Sequence, residues 1–339
     1  MIKVPLGEAE GQVLGYDITV VDVQKGLKGV AFSRGHTIRK EDLAVLERLG
    51  KQNIYVWEGS EEEIHEEEAA LTVAPLIAGP NIRYDEAPKE GKIGFYATCA
   101  GLFEVDVERL ERINRLAIPS LPTIHTHFPV QANKLVAAFR IIPLTCKRKL
   151  LEQITAELDR PLLRIKPYVV KNAAILVTGS EVYHQRVRDG FTPKLTAKLA
   201  ALGISVTSAE VLPDDKMMIS RAIRAAAESC ELLLITGGTS VDPDDITTVA
   251  MREAGVVFPQ KGNPVQPGNN LTIGYADQST VCAIPAAALH YAATAFDIYL
   301  PRLAAGQRIL PEELALTGHG GLCHFCPVCH FPICPFGRN

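Results

Sequence analysis

Two groups of side chains in this sequence have the types and spacing for chemistry: a cysteine run near the C-terminus and an aspartate cluster after a glycine turn. Cys323, Cys326, Cys329 and Cys334 fall within twelve residues as C-x2-C-x2-C-x4-C-P. So short a run suits structural zinc or an iron–sulfur cluster, whereas a disulfide framework spreads its half-cystines. The rhythm differs by one residue from the bacterial ferredoxin run. Typical zinc modules put a longer loop between two cysteine pairs, and this tail has none. His324 and His330 are substitute ligands, and a reduced, metal-free tail is the competing reading. Cys99, Cys146, Cys230 and Cys282 are scattered and read as small buried hydrophobes.

The aspartate cluster belongs to a block over residues 233–247, Leu-Leu-Ile-Thr-Gly-Gly-Thr-Ser-Val-Asp-Pro-Asp-Asp-Ile-Thr. Gly237 and Gly238 let the backbone turn sharply and aim N–H groups at an anion. Thr239 and Ser240 add hydroxyls. Asp242, Asp244 and Asp245 supply hard oxygens of the kind that hold Mg²⁺ beside a phosphate. A tight turn followed by a capped helix is the plainer reading. Three more blocks have similar chemistry: Thr178-Gly179-Ser180-Glu181 with Asp189 beyond it, Pro213-Asp214-Asp215, and residues 262–268, Gly-Asn-Pro-Val-Gln-Pro-Gly, ending in Pro267 and Gly268. Turn formation and helix capping alone could account for each of these. His125 and His127 would share a face if they lay on a strand, which suits either a metal pair or ordinary surface residues.

The elements that must position these blocks alternate strand, glycine turn and helix from about residue 172. A continuous apolar run at 173–177 and the run Glu231-Leu-Leu-Leu-Ile235 read as buried strands, and 204–211 as another. Helices are expected over 191–202 and 216–229. That order implies an α/β domain, a parallel sheet with helices on both faces. Ligands of such sheets sit beyond the carboxyl ends of the strands, where both glycine turns fall. Smaller α+β modules precede it. One helix is expected from a Thr37 cap to a Gly50 stop, and a second is expected to start in the acidic run 61–68 behind Ser60. The expected divisions are 1–65 and 66–168 for two α+β modules, 169–305 for the α/β domain and 306–339 for a cysteine-rich metal-binding tail.

The chain has 339 residues, 47% of them hydrophobic and 22% charged, with 35 Lys plus Arg against 39 Asp plus Glu. A net charge of −4 excludes the basic footprint of a general nucleic-acid binder. No apolar run reaches the roughly 18 residues a membrane helix requires, and the N-terminus lacks the form of a signal peptide. A cytoplasmic protein without nucleic-acid or membrane partners is expected.

In this order the four blocks resemble the molybdopterin-binding domain shared by molybdopterin adenylyltransferases, molybdopterin molybdenumtransferases and gephyrin. The resemblance covers about residues 172–303, and a weaker one around residues 11–18 is to the opening module of the molybdenumtransferases. The whole chain resembles a shortened molybdenumtransferase with a cysteine tail. The resemblance implies catalytic positions at Asp245, Glu181 and Asp215. It implies cofactor-binding positions at Thr178, Gly179, Ser180, Asp189, Gly237, Gly238, Thr239, Ser240, Pro267 and Gly268, with Mg²⁺ on Asp244 and Asp245. Two departures stand out. Asn269 and Asn270 follow Pro267-Gly268 where the family usually has lysine, and Ile284-Pro285-Ala286-Ala287-Ala288 replaces the usual Pro-Gly-Asn-Pro. The implied reaction inserts molybdate into adenylylated molybdopterin with release of AMP, in a homodimer. A non-catalytic cofactor carrier and an adenylyltransferase are the alternatives.

Overall fold

The structure, a computed structural model, describes residues 1–22, 27–57, 61–238 and 246–338. The chain forms two compact units, Met1–Thr98 with Val105–Ile124 and Asn133–Arg164, and Cys99–Glu104 with His125–Ala132 and Ile165–Asn339. No helix among the described residues is long and apolar enough to cross a membrane.

The first unit is α+β. Ile2–Pro5 pairs antiparallel with Asn53–Val56, and Ile18–Asp22 with Leu27–Phe32. A four-stranded antiparallel sheet follows, in the order Ile82–Tyr84, Ile93–Ala97, Leu135–Ile141, Pro119–Ser120. The helix Glu66–Ile77 buries Ala69, Ala70, Val73, Ala74 and Ile77. Two helix starts differ from the sequence expectation. The helix expected from Thr37 runs Lys40–Arg48, because Thr37 is taken up in a β-bridge to Val13 and the Asp42 carboxylate accepts the Arg39 N–H at 2.9 Å. Gly50, at φ +75°, stops it as expected. The acidic run opens instead as a strand, Glu63–His65, which pairs with Thr145–Lys147. The helix begins only at Glu66, with His65 Nδ1 accepting the Glu67 N–H at 3.3 Å. The proposed cap, Ser60, lies outside the described residues. Glu66, Glu67 and Glu68 do occupy the first turn, where the helix dipole favours them.

The second unit holds the α/β domain. Its sheet consists of β1 (Asn172–Thr178), β2 (Ser205–Leu212), β3 (Leu232–Thr236), β4 (Thr272–Ala276) and β5 (Ser279–Ile284), in spatial order β2-β1-β3-β5-β4. All neighbours are parallel except β4 and β5, which form an antiparallel pair. Helices α1 (Phe191–Ala200), α2 (Lys216–Ser229), α3 (Thr247–Glu253) and α4 (Ala295–Ala304) cover it. The side-chain alternation of β1 assigns the faces. Ala173, Ile175 and Val177 pack with Leu195 and Leu199 of α1 and with Phe296, Tyr299 and Leu300 of α4. Ala174 and Leu176 pack with Ile219 and Ile223 of α2 and with Ala250 and Met251 of α3. Two buried faces explain why β1 and β3 are apolar without interruption. The fold class expected from the sequence is the one observed.

The C-terminal segment joins this core. Ile309, Leu314 and Phe336 are buried in the same cluster as α1 and α4, and Cys323, Phe331 and Cys334 pack against it. Phe336 is 2% exposed, and its ring meets Phe331 edge-on at 6.1 Å between centroids. Phe336→Ala should therefore destabilise the second unit by about 3–5 kcal/mol, the usual range for truncating a buried phenylalanine. The exposed Val328→Ala should change little. Urea unfolding of both variants checks this, and a loss under about 1 kcal/mol for Phe336→Ala would mean that the segment only rests on the domain.

Candidate functional site

Strand register brings the four sequence blocks to one end of the sheet. Thr178 pairs with Leu212, Val177 with Thr236, and Thr236 with Ile284, so four parallel strands finish level. Immediately beyond them come residues 179–181, 213–215, 237–238 and 285–288. The antiparallel β4 starts at this same end, since Thr272 pairs with Ala283, and the loop ending in Pro267 and Gly268 leads into it.

Backbone contact fixes the centre of this edge. Gly237 has φ +85°, and a Cβ there would overlap the Thr178 carbonyl oxygen. The Thr178 hydroxyl donates to the Thr236 carbonyl at 2.9 Å, which ties the two strand ends together. Gly238 has φ +52°, and the Thr247 hydroxyl at the start of α3 donates to the Gly237 carbonyl at 2.8 Å. Thr236 Oγ1 is buried and has no hydrogen-bond partner among the described residues. A buried hydroxyl without a partner costs free energy, so a polar ligand atom arriving at the strand end would find one here. Gly179, at φ +146°, carries the chain out of β1, and the Glu181 carboxylate folds back against it. Glu181 is itself exposed.

Three carboxylates of this edge, Asp189, Asp214 and Asp215, have structural partners. Asp214 accepts the Ser180 N–H at 2.7 Å, while its own N–H donates to Ser180 Oγ at 3.2 Å. This reciprocal pair locks residues 178–181 and 213–215 together, a role for Asp214 that the spacing of its block did not indicate. Asp215 caps α2 by accepting the Met218 N–H at 2.8 Å. Asp189 accepts the N–H groups of Phe191 and Thr192 at 2.8 and 3.2 Å, which caps the start of α1. Pro267 and Gly268 are buried rather than open to the edge. The Pro267 carbonyl accepts the Ala295 N–H at 3.0 Å, and a Cβ on Gly268 would press on the start of α4. Thr239, Ser240, Asp242, Asp244 and Asp245 lie outside the described residues.

His125 and His127 do not share a strand face. Both precede the strand Phe128–Val130, and His127 is held at φ +61° with its N–H donating to the Phe103 carbonyl at 2.7 Å. They line a cavity of about 120 Å³ together with Arg302 and Glu313, which pair with each other. Burial, and next the Arg302 charge, push the His127 imidazole down to about 4. Among the described residues, no three His, Cys, Asp or Glu side chains converge so as to hold a metal ion, and this includes Cys323, Cys326, Cys329 and Cys334.

Residues 174–305 match the sequence family described as "Probable molybdopterin binding domain", and residues 3–58 match a domain of unknown function. A protein of Pyrobaculum aerophilum is 38% identical over 82 residues, 24% of this chain and 31% of its own. A CinA-like protein of Frankia casuarinae is 35% identical over 75 residues, 22% of this chain and 17% of its own. A protein of Methanocaldococcus jannaschii provisionally assigned to molybdopterin biosynthesis is 36% identical over 80 residues, 24% of this chain and 20% of its own. The chain thus spans under a third of the length of these relatives. Among solved structures, MoaB of Thermus thermophilus superposes with a TM-score of 0.33 at 19% identity, covering 40% of this chain and 98% of that one. The family likeness thus lies over residues 174–305, where the chain is similar to probable molybdopterin-binding domains.

Two outcomes follow from this geometry. Gly237→Ala should weaken folding by several kcal/mol, since the new methyl meets backbone at a positive φ. Gly29→Ala, where a Cβ meets nothing, serves as control, and thermal unfolding reads both. The second outcome concerns His127. Its native pKa near 4 lies below the unfolded value of about 6.5, so between these values the unfolded chain binds a proton that the native one does not. This contribution is fully present above pH ~6.5 and is lost as the pH falls towards ~4, with a slope of at most about 1.4 kcal/mol per pH unit. The difference between wild type and His127→Gln in urea titrations across that window should show this slope; a constant difference would mean that the imidazole titrates normally.

Proposed function

We propose that the second unit binds molybdopterin, or its adenylylated form, at the carboxyl edge of its sheet, and that the protein inserts molybdate into it with release of AMP. The observation that carries this reading is the convergence of residues 178–181, 213–215 and 237–238 on one strand edge, within the stretch that matches molybdopterin-binding domains. The turn at Gly237 and Gly238 offers backbone to phosphate or pterin oxygens, as a glycine turn at a strand end can. The buried Thr236 hydroxyl, without a partner among the described residues, fits a polar ligand there. The proposed setting is a cytoplasmic homodimer.

Roles for this chain's residues follow from their places. Thr178 and Asp214 hold the edge in shape, the first through the Thr236 carbonyl and the second through Ser180. Glu181 is exposed beside the Gly179 turn, free to swing towards a molybdate oxygen or water. Asp215 holds the start of α2 at this edge, and Thr239 and Ser240 follow directly on Gly238. Mg²⁺ is proposed on Asp244 and Asp245, where it would screen pyrophosphate charge and polarise the bond to be broken.

A carrier that binds the cofactor without turnover is the second reading, and one feature favours it. Beyond β5 the chain presents Pro285 and then an exposed Ala286, which puts a methyl where the family's Gly-Asn would give close backbone approach and an amide. An assay of AMP release from adenylylated molybdopterin and molybdate decides between the two readings. In the enzyme, Asp245→Asn should leave folding unchanged and slow AMP release at least about a hundredfold, or about 2.7 kcal/mol. Wild-type turnover in this variant would remove Asp245 from the mechanism. Tight binding by a wild-type protein that never releases AMP would establish the carrier.

A further inference from the structure

The cysteine run has a structural setting independent of the molybdopterin reading. Cys323, Cys326, Cys329 and Cys334 all line one cavity of about 490 Å³, together with His290 and Tyr291. All four thiols are free of disulfides; Cys326 and Cys329 are exposed, while Cys323 and Cys334 are partly buried. The cavity is anchored from behind. The Cys323 N–H donates to the Gln266 carbonyl and the Gln266 N–H to the Gly321 carbonyl, each at 2.8 Å. Cys334 and Phe331 pack against the core of the unit. Aromatic pairs, Tyr291 with Phe325 and Phe331 with Phe336, supply an apolar surround.

Size and spacing select the occupant. The cavity is far larger than the roughly 10–15 Å³ that holds one water, so it has room for more than a single ion. All four cysteines line this one space, although among the described residues no three of them meet as ligands of a single metal ion. A mononuclear zinc site would use two chelating pairs separated by a loop. Two successive three-residue steps instead present three sulfurs in the C-x2-C-x2-C rhythm of a cubane. The Phe325 N–H already donates to Cys323 Sγ at 3.4 Å, the type of bond that tunes cluster sulfurs.

We infer that this cavity is a [4Fe–4S] site with Cys323, Cys326, Cys329 and Cys334 as its four ligands. Loading takes a preassembled cluster from an iron–sulfur donor: four Fe–S(Cys) bonds form, the donor's ligands are released, and four thiol protons leave, with no change of cluster oxidation state.

The full chain, purified without air, should contain about four irons and about four acid-labile sulfides. Reduction should bleach its visible absorption. Cys326→Ser and Cys329→Ser change exposed side chains and should each lose most of the iron without lowering the unfolding temperature of the metal-free chain. Cys99→Ser, outside the tail, and His324→Ala should keep the full complement. About one zinc without sulfide would overturn the cluster in favour of a mononuclear site. Metal-free protein, or full iron retention in the Cys326→Ser, Cys329→Ser double variant, would overturn the site. None of these readouts depends on molybdopterin, so failure here and failure of the proposed activity are separately visible.

Discussion

The contact between Gly237 and the Thr178 carbonyl is the constraint on which the candidate site depends. These residues end neighbouring parallel strands, and the backbone of one turn lies against the other with no room for a side chain. The Thr178 hydroxyl, bonded to the Thr236 carbonyl, closes the same junction. Because the sheet is parallel, its strand ends leave backbone groups unpaired and aimed in one direction, and the loops that follow must satisfy them or offer them to a ligand. Asp214 and Asp215 take the first course at Ser180 and at the start of α2. Thr236 Oγ1 has no such partner among the described residues.

The same sheet explains why the C-terminal segment belongs to the domain. One face is covered by α2 and α3, while the other is shared by α1, α4 and the residues from Ile309 to Phe336. Cys323 and Gly321 form their backbone bonds with Gln266, next to Pro267 and Gly268. The loop leading into β4 therefore touches α4 through Pro267 and the cysteine segment through Gln266.

The sheet was legible because burial on both faces leaves a continuous apolar run, as in Ala173–Val177 and Leu232–Ile235, that no surface element would carry. The glycine turns were legible because their φ values admit little else. Helix starts were less so. Thr37 and the acidic run looked like helix openings locally, but β-pairing with distant segments claimed Thr37 and residues 63–65 first. No local pattern carries that competition. For the same reason, the positive φ and burial of His127 were hidden: they depend on Phe103, Arg302 and Glu313, far away in sequence. Asp189 and Asp215 were singled out as site residues, and the bonds they make in the structure are helix caps. An aspartate just before a helix suits capping and ligand binding alike, so sequence cannot separate the two roles.

Capping roles for these carboxylates bear on how such an edge could work. Groups already bonded to backbone hold the loops in place and meet substrate and transition state alike. Uniform binding of that kind raises affinity without raising turnover. The described residues thus form a frame of turns and caps. Turnover would require charge that acts more strongly as a phosphate bond breaks, and among the described residues Glu181 is an exposed carboxylate at this edge. In such an arrangement, enzyme and carrier share one cradle and differ only in whether that charge reaches the phosphates.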